Sequence, residues 1–139
     1  MVKRRRARFA DYQAPEVDIQ PLPGVKNQII QSLNAHSPNN GGTPTTPALE
    51  GAMNHAKAWA AMPANANHKV IVVLATDGEP FGCSSDVPGV VAVAASGLPD
   101  IKTFVIGVGT SLGALNDVAV AGGTSQALMV DTGGNVEQQ

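Results

Sequence analysis

An acid stands at the end of the most apolar run in this chain. Val70 to Ala75 is uninterrupted apolar sequence, and Thr76-Asp77-Gly78-Glu79-Pro80 follows it directly. A short β-branched run without polar alternation reads as a strand buried on both faces. The C-terminal ends of strands are where open α/β sheets bind ligands. Asp77 is therefore the first candidate for binding chemistry; its plain structural alternative is a turn-former or helix cap. A second polar group lies in the loop Asn39 to Thr46, where Gly41 and Gly42 permit close backbone approach and Thr43, Thr45 and Thr46 cluster hydroxyls behind them. Other reactive types give less. Cys83 is the single cysteine, so no internal disulfide forms, and it has no activating neighbour in sequence. His36, His55 and His68 read as surface histidines without partners. Gly107-Val108-Gly109 lacks the third glycine of a dinucleotide loop, and no Ser, His and Asp set recurs at strand ends.

These groups need elements to hold them. Val25, Ile29, Ile30 and Leu33 form the apolar stripe of a helix over 25–35, opened by Pro23-Gly24 and closed by Ser37-Pro38. Thr46 before Pro47 predicts an N-cap with proline in the first turn. The helix then runs to about residue 61, with Leu49, Ala52, Met53, Ala56 and Ala60 inward and Trp59 flanking them. After the strand ending at Asp77, Gly78 to Asp86 is a loop. Asp86 caps a helix over 87–96 whose inward side is Val90, Val91, Ala94 and Ala95. Ile101 to Gly109 is a second strand. A short helix over 111–120 follows, with Leu112, Leu115, Val118 and Ala119 inward. Gln126 to Val130 is a third strand, and Thr132 to Asn135 a turn. Strands alternating with helices give a parallel sheet with right-handed crossovers.

The 139 residues suffice for one core, and 43% hydrophobic against 14% charged residues excludes a disordered chain. No apolar run approaches the roughly 18 residues of a membrane helix. The net charge of −2 hides an asymmetry: five of nine basic residues lie in Lys3 to Arg8, leaving four lysines against all eleven acids in the remainder. The acidic body excludes nucleic-acid binding through a basic face. Residues 1–14 are expected to be a solvated, disordered basic segment, with contact to RNA, DNA or an anionic membrane as the alternative, and 15–139 the domain. No apolar segment follows the arginines, so the start does not read as a signal peptide, and the compartment stays open.

Four stretches in order carry a resemblance: Gly41-Gly42-Thr43-Pro44-Thr45, Val73 to Pro80, Phe104-Val105-Ile106-Gly107-Val108-Gly109, and Ala121-Gly122-Gly123-Thr124. Together they resemble the von Willebrand factor type A (VWA) domain, in its bacterial form, from about Ala14 onward. The resemblance implies an α/β, Rossmann-like, doubly wound and mostly parallel sheet with helices on both faces. It implies a non-enzymatic interaction or adhesion module that holds Mg²⁺ or Mn²⁺ at a metal-ion-dependent adhesion site, where an acidic side chain of a protein partner often completes the coordination. Relatives are often secreted or surface-attached. By motif position Thr43 and Asp77 are the implied metal ligands, with Thr45 and Glu79 as outer or rim groups. Hard oxygen donors of this kind suit Mg²⁺.

The family's Asp-x-Ser-x-Ser segment is missing, and Ser84-Ser85-Asp86 has the wrong order and place. The chain therefore reads as a partial VWA domain truncated at its N-terminus. Metal binding by the chain alone is expected to be weak or absent, and oligomerisation is expected through exposed sheet edges. Two alternatives stand beside this reading: a structural fragment without metal function, and a Mg²⁺-dependent phosphate-handling enzyme.

Overall fold

The β-branched runs pair with one another. A computed structural model of the protein describes residues 9–37, 42–109 and 113–131. Strand β1 (Ile71–Thr76) lies parallel to β2 (Lys102–Val108), and β2 lies parallel to β3 (Leu128–Val130), in the order β1-β2-β3. The helices are α1 (Lys26–Ala35), α2 (Thr45–Ala60), α3 (Val87–Ala95) and α4 (Ala114–Ala121). This is the α/β, Rossmann-like parallel arrangement expected from the strand and helix order. The turn expected at Thr132 to Asn135, and Leu112 of the fourth helix, lie outside the described residues.

Register decides what each side of the sheet contains. Val72 pairs with Thr103 and Leu74 with Val105, all on one face. Helices α2, α3 and α4 pack side by side over that face. The core beneath them is Met53 from α2, Val90 and Ala94 from α3, Leu115, Val118 and Ala119 from α4, and Thr103 and Val105 from β2, all essentially inaccessible. Gly107 sits under Leu115 and Met129, and a Cβ there would come within 2.9 Å of both. A glycine lets the helix approach the strand that closely.

The opposite face is different. Ile71, Val73 and Phe104 are 48%, 52% and 38% exposed. The expectation that β1 is buried on both faces is thus corrected. Among the described residues one helix layer is present. The strand alternates buried and exposed positions, although its sequence is continuously apolar. Helix α1 does not supply a second layer. Of its apolar stripe only Val25, at its N-cap, is buried, while Ile29, Ile30 and Leu33 stay exposed.

Residues 9–14 were grouped with the basic start. Phe9–Tyr12 instead forms a 3₁₀ turn packed on α2. The Tyr12 carbonyl lies against Gly51, where any side chain would collide with it. Residues 1–8 lie outside the described residues. No described helix is long and apolar enough to cross a membrane.

Candidate functional site

Two loops meet at the C-terminal end of β1. The first arrives from Gly42, whose φ of +91° is a conformation that side chains avoid. A Cβ at Gly42 would lie 2.8 Å from the Phe81 carbonyl. The next residue, Thr43, pairs with the second loop through reciprocal backbone bonds. Thr43 N–H donates to the Phe81 carbonyl at 2.8 Å, and Phe81 N–H donates to the Thr43 carbonyl at 3.0 Å.

The second loop turns tightly. Gly82, Cys83 and Ser84 have φ of 75°, 54° and 59° in succession, and Ser85 N–H closes the turn onto the Gly82 carbonyl at 2.8 Å. Left-handed conformations cost about 1 kcal/mol or more for a residue with a Cβ. Cys83 and Ser84 therefore hold this shape only because the flanking bonds fix it. Ser85 is buried and ties the loops together. Its hydroxyl accepts from Thr46 N–H at 2.9 Å and lies 3.1 Å from the Thr46 hydroxyl.

This changes the reading of the α2 start. Thr46 was expected to be the N-cap. The helix begins two residues earlier than expected, at Thr45, with no side-chain bond from its own cap residue, Pro44. The hydroxyl of Ser85, distant in sequence, satisfies the free N–H of Thr46 instead. At α3 the expected cap is present, with Gly89 N–H donating to the Asp86 carboxylate at 2.8 Å.

The predicted site residues divide into two groups. The Thr43 hydroxyl lies directly over Gly78, 3.3 Å from where a Cβ on that glycine would be. Gly78 is the residue after Asp77, so the Thr43 hydroxyl lies near the strand end that carries Asp77. Asp77 is exposed and makes no hydrogen bond or ion pair with other described residues. Thr76 shapes this strand end: its hydroxyl donates to the Gly78 carbonyl at 2.8 Å and takes the Gly78 N–H at 3.3 Å. Thr45 is buried, and its hydroxyl is turned to the Thr43 carbonyl at 3.3 Å, which makes it a brace for the loop. Glu79 is exposed beside Asp77.

Sequence reasoning missed Phe81 and Ser85. Phe81 is 73% exposed at the rim and forms the backbone bridge to Thr43. The glycine, proline and serine of 78–86 signalled a loop there, but not the turn that positions both. His55, read as a surface residue, is half-buried on α2, and its Nε2 is buried without a hydrogen-bond partner among the described residues. Tyr12 approaches the same loop from the N-terminal turn. Burial, then the neighbouring Cys83 and Asp11, push its phenol above the usual tyrosine range.

Mg²⁺ and Mn²⁺ seek oxygen donors, and Thr43 and Asp77 fit that chemistry. The number of donors is small. No group of three or more His, Cys, Asp or Glu side chains among the described residues is placed to hold an ion.

Comparison with known families gives a match to the von Willebrand factor type A domain over residues 7–138. Neither the curated proteins nor the solved structures give a match. The family match spans nearly the whole chain and agrees with the parallel sheet and its polar rim: the chain belongs to the von Willebrand factor type A family.

Proposed function

We propose that this chain is a protein-binding module whose contact surface is the loop rim at the C-terminal end of β1. VWA domains are generally interaction modules, and this reading assigns the chain binding rather than catalysis. The observation that carries it is the convergence of the Thr43 hydroxyl with the residue following Asp77. On this reading the Thr43 hydroxyl and the exposed Asp77 carboxylate, from loops far apart in sequence, are the two hard oxygen groups offered to a partner. Thr43 and Asp77 would hold Mg²⁺ or Mn²⁺, and the ion would supply a positive centre able to accept an acidic side chain from the partner. Exposed Phe81 offers an apolar contact beside it, and Glu79 a charged rim group.

Two side-chain oxygens are few against the roughly six that octahedral Mg²⁺ demands. Water and partner must supply the rest, so affinity for the free ion is weak and rises when the partner is present. The short donor set also favours a second reading, a VWA scaffold that binds without metal.

A calorimetric titration of Mn²⁺ into the folded chain separates the two, with Asp77→Ala as control. Weak, saturable heat that disappears in the variant supports the metal-dependent reading. No heat at millimolar Mn²⁺ in either protein leaves only the metal-free scaffold. Tight binding that survives Asp77→Ala would place the ion elsewhere and sink the assignment.

A further inference from the structure

We propose that a cavity at the N-terminal ends of β1 and β2 binds a small organic anion, an acidic group carried on an apolar body. The cavity is about 760 Å³, a size that suits a small molecule. It lies between the C-terminal ends of α2 and α3 and the starts of the two strands. Its lining comes from two internal connections, within 57–70 and 96–101. Because β1 and β2 run parallel, it sits at the far end of the strands from Thr43 and Asp77. The inference is therefore independent of the metal reading.

Charge is the first reason. Beyond its basic start the chain holds four lysines against eleven acids. Two of those four, Lys57 and Lys69, line this cavity, and Lys102 follows Ile101, which also lines it. The acid in the lining is Asp100. Among the described residues neither lysine nor Asp100 makes an ion pair. Lys57 reaches from α2 to the end of α3, where its ammonium donates to the Ser96 hydroxyl at 3.3 Å. One such bond leaves most of the donors of an ammonium open.

Hydrogen bonding is the second. The C-terminal ends of helices present free carbonyls, which favour cations over anions. Here those carbonyls are taken up locally. Ser96 N–H donates to the Ala92 and Val93 carbonyls, and Gly97, Leu98 and Ile101 N–H donate to those of Ala94, Ala95 and Gly97. At the end of α2, Ala61 and Met62 N–H donate to the Lys57 and Trp59 carbonyls, and the Asn65 side-chain amide adds a second bond to Trp59. The two ammonium groups are left as strong donors to a ligand. Val70 and Leu98, the latter 41% exposed, offer contact to its apolar body.

Amide-resonance titrations of the chain in EDTA test this, with naphthyl phosphate and naphthoate as probes and uncharged naphthol and inorganic phosphate as controls. The expected result is a saturable shift at 65–70 and 96–101 with at least one naphthyl anion below about 5 mM. Each control should bind at least about 5-fold more weakly. The double variant Lys57→Gln, Lys69→Gln, shown to be folded by unchanged circular dichroism, should bind the anion about 10-fold more weakly. Lys69→Gln alone, outside any helix or strand, takes its place if the pair does not fold. No saturable shift with either anion overturns the proposal, as do shifts centred on Thr43 and Phe81. Equal binding of naphthol, or unchanged affinity in a folded variant, also overturns it.

Discussion

On one face of the sheet, Val72, Thr103 and Val105 lie under α2, α3 and α4; on the other, Ile71, Val73 and Phe104 face solvent. The side chains are alike, so composition does not decide their surroundings. What differs is whether a helix returns over them. After β1 and β2 the chain leads into α3 and α4, which lie beside α2 in one layer. Helix α1 carries an apolar stripe whose Ile29, Ile30 and Leu33 stay exposed. Apolar sequence thus reports a capacity for burial, and topology determines which half of it is used. The two faces should consequently respond very differently to the same kind of substitution.

The largest contrast lies between Leu115 and Val73. Leu115 is completely buried beneath α4 and touches the space over Gly107. Leu115→Ala should cost about 2–5 kcal/mol, the transfer of the lost methyl groups plus the cavity left behind. Val73→Ala, at a half-exposed position, should cost under about 1 kcal/mol. Urea unfolding of both at micromolar protein checks the pair. Equal costs at low concentration would mean that the open face is covered within one chain.

A smaller effect tests how the covered side is fastened at the rim. The hydroxyl of Ser85 is the partner of Thr46 N–H at the start of α2. Ser85→Ala removes that bond at a buried site and should cost about 1 kcal/mol, comparable to losing a helix N-cap. It should also loosen the pairing of Thr43 with Phe81, seen as faster amide exchange at those two residues. Unchanged exchange there would show that the backbone bridge holds the loops without Ser85.

How much of this was legible in sequence follows from the range of each interaction. The strands at 71–76 and 102–108, the helix at 87–95 and its Asp86 cap were readable, because periodicity, β-branching and capping are local. Asp77 at the strand end was readable for the same reason. The meeting of Thr43 with that strand end was reached only through the resemblance to a family, since residues so far apart in sequence carry no local sign of contact. The role of Ser85 was hidden for the same reason: its partner, Thr46, is 39 residues away. The covering of β1 on a single face was also hidden. A continuous apolar run such as Val70 to Ala75 signals two-sided burial, and nothing local records that, among the described residues, helices cover only one side. His55 was misjudged because nothing local in sequence records the burial of its Nε2.

The smallest predicted effect lies at the margin of the covered layer, where Tyr12 packs beside α2. Its phenol is held above the usual range first by burial and then by the charges that Cys83 and Asp11 place nearby. A raised acid pKa means that the folded state keeps its proton more tightly than the unfolded chain. The associated stability is complete below the unfolded value of about 10 and is lost as pH rises from there through the folded value. Urea midpoints measured from about pH 9 to pH 11.5 should therefore fall more steeply for the wild type than for Tyr12→Phe. Lysines also titrate in this window, so the difference between the two curves is the quantity that counts. Parallel curves would mean that Tyr12 is free of α2 and of the Cys83 loop, and that the covered layer ends before the N-terminal turn.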